Sequence, residues 1–190
     1  MAPLHDILVV AATEPELAPS GGWRTLVCGV GPVDAAAATA AAIAAARPRA
    51  IVHVGIAGAR RASGLEPPAV VVGTEAVYGD LDVPTHFAPH RLKTADELVE
   101  AAARAVPTSV RRTIGTGGRV GHTTGNEVEA MEGFAVLRAA ALAEVPAVEV
   151  RVIANAIEEA DRAQWKFDEA FATVRAITPA LVREIAACAS

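Results

Sequence analysis

The sequence has few cysteines, no concentration of positive charge and no long apolar run. Cys28 and Cys188 are its only cysteines, and both stand in apolar surroundings. They predict reduced intracellular thiols rather than a disulfide framework. Lysine and arginine are scattered, with no more than two adjacent, and the formal net charge is -5, which excludes a basic stripe for nucleic acid and a polybasic membrane anchor. A small molecule or another protein is therefore the expected partner.

The opening residues, MAPLHDILVV, have no cationic start, and their apolar run is too short for a signal peptide or a membrane span. We therefore expect a cytoplasmic protein. The 190 residues are 52% hydrophobic, which is enough to bury a core without metals or disulfides. Since no repeat and no linker divides the chain, a single domain over residues 1–190 is predicted.

Short apolar runs rich in β-branched residues alternate with longer helical stretches. The runs predict strands buried on both faces, over residues 7–12, 25–28, 50–55, 69–77, 110–115 and 147–154. Helices are predicted over residues 33–46, 94–105, 131–143 and about 165–187. The second helix opens with Thr94 and Glu97 in the spacing of a capping box. This alternation predicts an α/β fold, a three-layer α/β/α sandwich with a mostly buried central sheet.

Two glycine-rich stretches follow predicted strands. In CGVGPVDAA, residues 28–36, the backbone N–H groups of Gly29 and Gly31 are candidates to face an anion or a sugar hydroxyl. This stretch fails as a dinucleotide-binding fingerprint, because Asp34 replaces the third glycine. In VGIAGAR, Gly55 and Gly58 permit close approach of the backbone to a ligand. Tight turns alone also explain both stretches.

Polar residues stand at several predicted strand and helix ends. Glu16 follows the first strand, either in a polar turn or at the edge where open sheets deliver side chains into a ligand crevice. Glu132 lies in the first turn of an apolar helix, where the helix dipole alone accounts for an acid. Asn155 ends a strand, as turn residues often do, and Trp165 and Phe167 follow it. Taken singly, each residue has a structural explanation.

Taken together and in this order, seven stretches resemble the nucleoside phosphorylase and nucleosidase superfamily, and within it the futalosine hydrolases. They are AATEPEL, CGVGPVDAA, VGIAGA, EAVYGDLDV, EAMEGFAV, EVRVIANAI and DRAQWKFDEA, and they cover most of the chain. GIAGA and Asn155 after RVIA favour the futalosine hydrolases over the methylthioadenosine/S-adenosylhomocysteine nucleosidases, where an aspartate is expected at that strand end. The resemblance implies a nucleoside phosphorylase-like sandwich with a mixed sheet. Its implied activity is hydrolysis of futalosine to dehypoxanthine futalosine and hypoxanthine, in menaquinone biosynthesis.

The resemblance also implies roles for individual residues. Glu16 would be the base that activates water, and Asn155 would face the purine as the second catalytic residue. Glu132 would bind the ribose hydroxyls, with Met131 packed against the sugar. The other residues implied to contact the nucleoside are Ile56, Ala57 and Gly58 beside the ribose and base, with Trp165 and Phe167 closing the far end. A homo-oligomer, a dimer or higher, is expected.

These residue types suit the cleavage of an N-glycosidic bond. Positive charge builds on the sugar and negative charge on the departing purine, so the site needs a carboxylate near the ribose and hydrogen-bond donors near the base. A carboxylate that takes a proton from the attacking water typically adds about 10²–10⁴ in rate. No cofactor or metal is required, and the five histidines show no ligand-like spacing. His53, inside a strand, is predicted to be a hydrogen-bonded core residue.

Three alternatives stay open. One is a methylthioadenosine/S-adenosylhomocysteine-type nucleosidase. A purine nucleoside phosphorylase would need a cationic phosphate site, and CGVGPVDAA contains no Arg or Lys. A non-catalytic nucleoside-binding homologue is compatible with the connection over residues 116–130, which is shorter than relatives usually carry and would open the base pocket. In that connection, Arg119 and His122 are either anion contacts for a substrate carboxylate or solvated loop charges.

Overall fold

The structure, a computed structural model, describes residues 3–121 and 124–188. Within these residues the chain forms eight strands and four α-helices. The strands are β1 (Ile7–Ala11), β2 (Arg24–Val27), β3 (Ala50–Ala59), β4 (Val70–Tyr78), β5 (Arg91–Lys93), β6 (Val110–Thr116), β7 (Val128–Ala130) and β8 (Ala147–Ala156). The helices are α1 (Pro32–Ala45), α2 (Asp96–Ala105), α3 (Gly133–Leu142) and α4 (Phe167–Cys188).

The strands form one mixed sheet that closes on itself along part of its length. β2, β1, β3 and β8 lie side by side and parallel, so their carboxyl ends meet at one edge. β4 continues the sheet antiparallel to β8 and pairs with β5 and β6. β7 then joins β6 to the last residues of β3. The ring β3–β8–β4–β6–β7 is filled by a small apolar cluster that includes Ile114 and Ile153.

Helices cover both faces of this sheet. Successive residues of a strand point to opposite faces, and in β1 Val9 packs with residues of α2 and α4 while Val10 packs with residues of α1 and α3. The alanine-rich α1 buries Ala35, Thr39 and Ile43, which lie on one helical stripe and face the sheet and α3. The predicted three-layer α/β/α sandwich with a mixed sheet is confirmed.

The six predicted strands and four predicted helices are confirmed, with ends shifted by a few residues. β3 continues through GIAGA to Ala59, beyond the predicted end at residue 55. β5 and β7 were not predicted, because strands of three residues are too short to show a period of two. The helix α4 continues through Pro179 to Cys188.

Two local predictions were wrong. β2 is not buried on both faces, because it is the edge strand of the sheet, with Thr25 and Val27 exposed. Thr94 and Glu97 do not form a capping box, since α2 begins at Asp96 with Ala95 as its N-cap. The N–H of Thr94 instead donates to the carbonyl of Thr74 in β4, which holds Thr94 on the sheet and out of the cap position.

Two further features concern the chain as a whole. No helix in the described ranges is both long and apolar enough to cross a membrane. Cys28 is buried, Cys188 is partly exposed, and both are free thiols.

Candidate active site

One cavity of about 250 Å³ lies at the carboxyl ends of β1, β3 and β8. This edge is where open parallel sheets deliver the residues that follow their strands, and where they bind ligands. The cavity wall contains all nine residues that the sequence predicts for the site. They are Glu16, Ile56, Ala57, Gly58, Met131, Glu132, Asn155, Trp165 and Phe167. Their roles stay predictions, but the fold brings them together from five separate segments of the chain.

The pairing of β7 explains how Met131 and Glu132 reach this cavity. β7 runs antiparallel to β3 and pairs with it at Gly58 and Ala59. The chain leaving β7 therefore runs back along β3, and it passes through the cavity wall before α3 begins at Gly133. A strand that the sequence did not reveal thus positions two of the predicted site residues.

Glu16 is held by three neutral hydrogen-bond donors. It lies in a turn of 3-10 helix, Glu14–Glu16, directly after β1, and is only 3% exposed. Its Oε2 accepts from the backbone N–H of Thr13 at 2.9 Å and from the Thr13 hydroxyl at 2.8 Å. Its Oε1 accepts from the N–H of Ile56 at 3.0 Å. These bonds fix the carboxylate in the cavity wall, and none of the three comes from a cation.

Glu132 is held by one neutral donor and one cation. It is 4% exposed and precedes the first residue of α3. Its Oε1 accepts from the N–H of Gly31 at 3.2 Å, and its Oε2 accepts from Nη2 of Arg151 at 3.2 Å. Gly31 has a φ of +93°, in the left-handed region that favours glycine. The N–H of Gly31, which the sequence predicts as a contact for an anion or a sugar hydroxyl, is therefore bonded to Glu132.

A buried arginine connects the groups beneath Glu132. Arg151, in β8, donates from Nε to Oε1 of Glu149 at 2.7 Å and from Nη1 to the carbonyl of Ile56 at 3.3 Å. Its Nη2 lies 2.6 Å from Nε2 of His53, in addition to its bond with Glu132. One guanidinium thus joins two carboxylates, an imidazole and the backbone of β3.

The partners of His53 determine which of its ring nitrogens carries the proton. Nδ1 lies 3.1 Å from the carbonyl oxygen of Val10, which can only accept, so Nδ1 donates. Nε2 is then free to accept from Arg151. Burial and the charge of Arg151 hold the pKa of His53 well below its ordinary value, so the ring is neutral. The prediction of a hydrogen-bonded core histidine is confirmed.

Burial acts on both ends of the Glu149–Arg151 pair. It raises the pKa of Glu149, against the opposing charge of Arg151. It would lower the pKa of Arg151, but the carboxylates of Glu149 and Glu132 outweigh burial and raise that pKa above its ordinary value. Arg151 is therefore a permanent positive charge enclosed by carboxylates.

Two glycines make room for this buried cluster. A Cβ added to Gly55 would collide with the guanidinium of Arg151 and would lie 2.8 Å from Oε1 of Glu16. A Cβ added to Gly133 would collide with the carboxylate of Glu149. Glycine at these positions lets charged groups approach the backbone more closely than any side chain permits.

Asn155 lies beside an irregularity in the pairing of β3 with β8. The register shifts between Ala57 and Gly58, so that Gly58 pairs with Asn155. The amide Nδ2 donates to the carbonyl of Ala156 at 2.9 Å. A primary amide has a second N–H and an acceptor oxygen, and these can meet a ligand in the cavity.

Aromatic rings form the wall at the start of α4. The rings of Trp165 and Phe167 have centroids 5.4 Å apart, and those of Phe167 and Phe171 are 6.0 Å apart. The indole Nε1 of Trp165 donates to the carbonyl of Glu159 at 3.0 Å, which leaves the ring's apolar surface for packing. The sequence analysis did not predict Phe171 as a site residue, although it stands one helical turn after Phe167 and so shares its face.

The charged pair in β8 was also missed. Glu149 and Arg151 interrupt the apolar strand in VEVRV, and their spacing of two residues places both side chains on one face. Two buried charges of opposite sign in a core strand were the available signal.

The sequence left open whether Arg119 and His122, in the connection over residues 116–130, contact an anion or are solvated charges. Arg119 is exposed and contributes to the cavity wall. His122 lies outside the described residues.

The sequence of the chain matches a known protein family. Residues 22–187 match the sequence model of the phosphorylase superfamily. The chain belongs to the phosphorylase superfamily. This membership confirms the superfamily resemblance read from the seven sequence stretches.

Among the described residues, no group of three or more His, Cys, Asp or Glu side chains is arranged to hold a metal ion.

Individual members of the phosphorylase superfamily resemble this chain in sequence or in fold. The futalosine hydrolase of Streptomyces coelicolor is 37% identical over 183 residues, covering 80% of this chain and 75% of that protein. The structure of the futalosine hydrolase of Helicobacter pylori has a TM-score of 0.82 at 17% identity, covering 94% of this chain and 97% of that one. The chain is thus a homologue of futalosine hydrolase, as the sequence predicted.

The fold is shared with a second group of nucleosidases. The 5'-methylthioadenosine/S-adenosylhomocysteine nucleosidase of Colwellia psychrerythraea, solved in complex with adenine, has a TM-score of 0.82 at 21% identity, with 94% of each chain covered. At this identity the likeness establishes the fold only.

Proposed function

We propose that the protein hydrolyses the N-glycosidic bond of futalosine, releasing hypoxanthine and leaving dehypoxanthine futalosine. The observation that carries this proposal is the presence of two buried carboxylates, Glu16 and Glu132, in one cavity with Asn155. The 37% identity to the Streptomyces coelicolor enzyme supports the choice of substrate. This activity would place the protein in menaquinone biosynthesis.

Glu132 suits the sugar side of the reaction. Positive charge builds on the ribose as the bond breaks, so a carboxylate bonded to the ribose hydroxyls interacts more strongly with the transition state than with the substrate. The bonds from Gly31 and Arg151 orient this carboxylate before the nucleoside binds. Met131, next in the cavity wall, would pack against the sugar.

Glu16 suits the activation of water. Its three bonds come from neutral N–H and O–H groups, so its charge is not matched by a bonded cation and it can accept a proton. In the proposed reaction, water attacks the sugar carbon on the face opposite the base and its proton passes to Glu16. The bond to the purine breaks with its electron pair on the base, which then takes up a proton from solvent. General-base assistance of this kind is worth about 10²–10⁴ in rate.

Asn155 suits the purine side. The departing base gains negative charge, which a hydrogen-bond donor stabilises, and the amide retains one N–H beyond the bond to Ala156. The β3 residues Ile56–Gly58 border the same part of the cavity, while the rings of Trp165 and Phe167 would pack against the far end of the nucleoside.

Water is favoured over phosphate as the acceptor of the sugar. A phosphorylase needs free cationic groups near the reacting carbon. The glycine turn CGVGPVDAA contains no Arg or Lys. Arg151 already bonds to Glu149 and Glu132, which would have to be displaced before it could bind phosphate. Arg119, the exposed cation of the cavity wall, belongs to the connection over residues 116–130 and not to this turn.

Purine release from a panel of nucleosides tests the proposal. The panel contains futalosine, its 6-amino counterpart, methylthioadenosine and inosine, each with and without phosphate. We expect hypoxanthine from futalosine at the same rate in both buffers, together with a free reducing sugar. A phosphate requirement or a sugar 1-phosphate product would indicate a phosphorylase. Preferred cleavage of methylthioadenosine would indicate the other nucleosidase type, and binding without release would indicate a non-catalytic homologue.

We also propose that the protein acts in the cytoplasm as a homo-oligomer, a dimer or higher. The outer face of α1 and α3 supports this, because Val33 is 78% exposed and Leu142 is 69% exposed beside an apolar groove. A second copy of the chain would remove these side chains from water. Light scattering of the purified protein, and of Leu142→Lys, measures the mass. A monomeric wild type would contradict the proposal.

A further inference from the structure

The buried cluster below Glu132 includes a carboxylate that the proposed reaction does not use. Glu149 is 1% exposed, and it does not belong to the cavity wall. Its Oε1 accepts from Nε of Arg151, while its Oε2 has no hydrogen-bond partner among the described residues. A buried carboxylate is costly to desolvate, and an apolar residue at this strand position would avoid that cost.

We propose that Glu149 is a positioning residue that acts on the ribose through Arg151 and Glu132. This inference rests on the proposed nucleoside hydrolysis. Glu149 contacts Arg151, Arg151 contacts Glu132, and Glu132 is the group that meets the sugar. Glu149 is therefore separated from the nucleoside by Arg151 and Glu132.

The geometry of the guanidinium explains the positioning. Its five N–H groups form a planar, rigid fork. Glu149 accepts from Nε and the carbonyl of Ile56 accepts from Nη1, so two bonds fix the plane of the group. Nη2 then has two N–H groups, of which one is directed to the neutral His53 and one to Glu132. Without Glu149, the Nε–H loses its acceptor and the orientation of Nη2 toward Glu132 is no longer fixed.

Glu149 also changes the charge that the ribose experiences. Burial raises the pKa of Glu149, but the 2.7 Å bond from the Nε–H of the cation Arg151 favours its ionised form. With Glu149 ionised, the group of Arg151, Glu132 and Glu149 carries one net negative charge, where Arg151 and Glu132 alone would carry none. His53 adds no charge because it is neutral, and the Glu16 carboxylate is present with or without Glu149. Negative charge in a buried site stabilises the positive charge that builds on the sugar. The ribose of the bound substrate is uncharged, so this effect arises only in the transition state. Glu149 should therefore affect kcat more than KM.

The first test is Glu149→Gln, which keeps the shape and an oxygen for Nε but removes the charge. We expect kcat for purine release to fall about tenfold to a hundredfold, with KM changed less than about threefold. Glu149→Asp, which retains the charge, should recover part of the loss. The matched control is Glu184→Gln, which removes a carboxylate from an exposed pair with Arg104, 3.1 Å apart, and should leave both constants unchanged. Thermal unfolding shows whether each variant is folded.

The second test is independent of turnover. Calorimetry compares the affinity for a cationic iminoribitol nucleoside analogue, which carries positive charge in place of the sugar, with the affinity for hypoxanthine. Glu149→Gln should weaken the cationic ligand about tenfold and leave hypoxanthine binding unchanged. Unchanged kcat and unchanged analogue affinity would overturn the proposal. An equal loss of affinity for both ligands, or failure of both Glu149→Gln and Glu149→Asp to fold, would also overturn it by showing a purely structural role.

These two measurements separate the inference from the proposed function. If the wild type releases no purine from any nucleoside, the hydrolase proposal fails. The ratio of the two affinities still reports whether Glu149 sets the charge of the site.

Discussion

The two sides of the cavity hold their carboxylates in different ways. On one side, Glu16 is bonded to the N–H and hydroxyl of Thr13 and to the N–H of Ile56, all neutral donors. On the other side, Glu132 is bonded to the N–H of Gly31 and to the cation Arg151. The two residues have almost the same burial, so solvent access does not distinguish them.

We propose that this difference reflects a division of labour between the two carboxylates. A carboxylate bonded to an arginine has its charge stabilised, so it suits a lasting interaction with hydroxyls and with developing positive charge. A carboxylate bonded only to neutral groups is oriented without a direct bond to a cation, so it suits proton transfer. Each of the following predictions tests one side of the cavity against the other.

The largest effect is expected on the Glu16 side. Glu16→Gln preserves the shape of the side chain but removes the base, so purine release should fall by at least about 10² while nucleoside binding is kept. Turnover is measured by purine release and binding by calorimetry. The matched control is Glu14→Gln, which alters the exposed acid of the same turn and should have little effect. Near-normal turnover of Glu16→Gln would end the assignment of water activation to this residue.

On the opposite side, Glu132→Gln should have a smaller effect that extends to binding. The amide still accepts from Gly31, but charge-assisted bonds to the ribose hydroxyls are lost, which lowers kcat/KM about tenfold to a hundredfold. Because these contacts exist in the bound substrate as well, KM should rise, unlike in Glu16→Gln. Steady-state kinetics of both variants make this comparison. Similar KM values in the two variants would contradict the division of labour.

A third change tests the part of the cavity next to the base. Asn155 offers both a donor and an acceptor to a 6-oxopurine, whereas an ionised aspartate offers no donor. A buried mismatch costs roughly 1–3 kcal/mol, so Asn155→Asp should reduce hypoxanthine release about tenfold to a hundredfold and shift the preference toward 6-amino nucleosides. The values of kcat/KM for paired 6-oxo and 6-amino substrates give the ratio. A wild type that prefers the 6-amino member, or a ratio that the substitution leaves unchanged, would show that Asn155 does not read the base.

The smallest effect concerns a thiol on the Glu132 side. Burial, and then the charge of Glu132, raise the pKa of Cys28 from 9.0 to about 12. Since the thiolate is the reactive form, the folded protein at pH 8 should be alkylated by iodoacetamide at Cys188 and not at Cys28. Mass spectrometry of the folded and the denatured protein measures this, and denaturation should expose both thiols. Rapid labelling of Cys28 in the folded protein would show that this side of the cavity is more open than the structure indicates.

Much of the fold follows from local sequence patterns. Continuous β-branched runs predicted the main strands, because a strand covered on both faces needs apolar side chains at every position. The same patterns placed Glu16 after β1 and Asn155 within the last residues of β8, the edge at which parallel strands present ligand-binding residues. The resemblance to nucleosidases then supplied candidate roles that spacing alone could not.

The sequence by itself determined the three layers, the positions of the polar strand-end residues and the superfamily. Only the tertiary structure decided the closure of the ring by β7, the bonds from Arg151 to His53 and Glu149, and the different partners of Glu16 and Glu132. The physical reason is separation along the chain. Periodicity reports which face of an element is buried, whereas Arg151 meets a histidine 98 residues away only after the parallel register of β3 and β8 has formed.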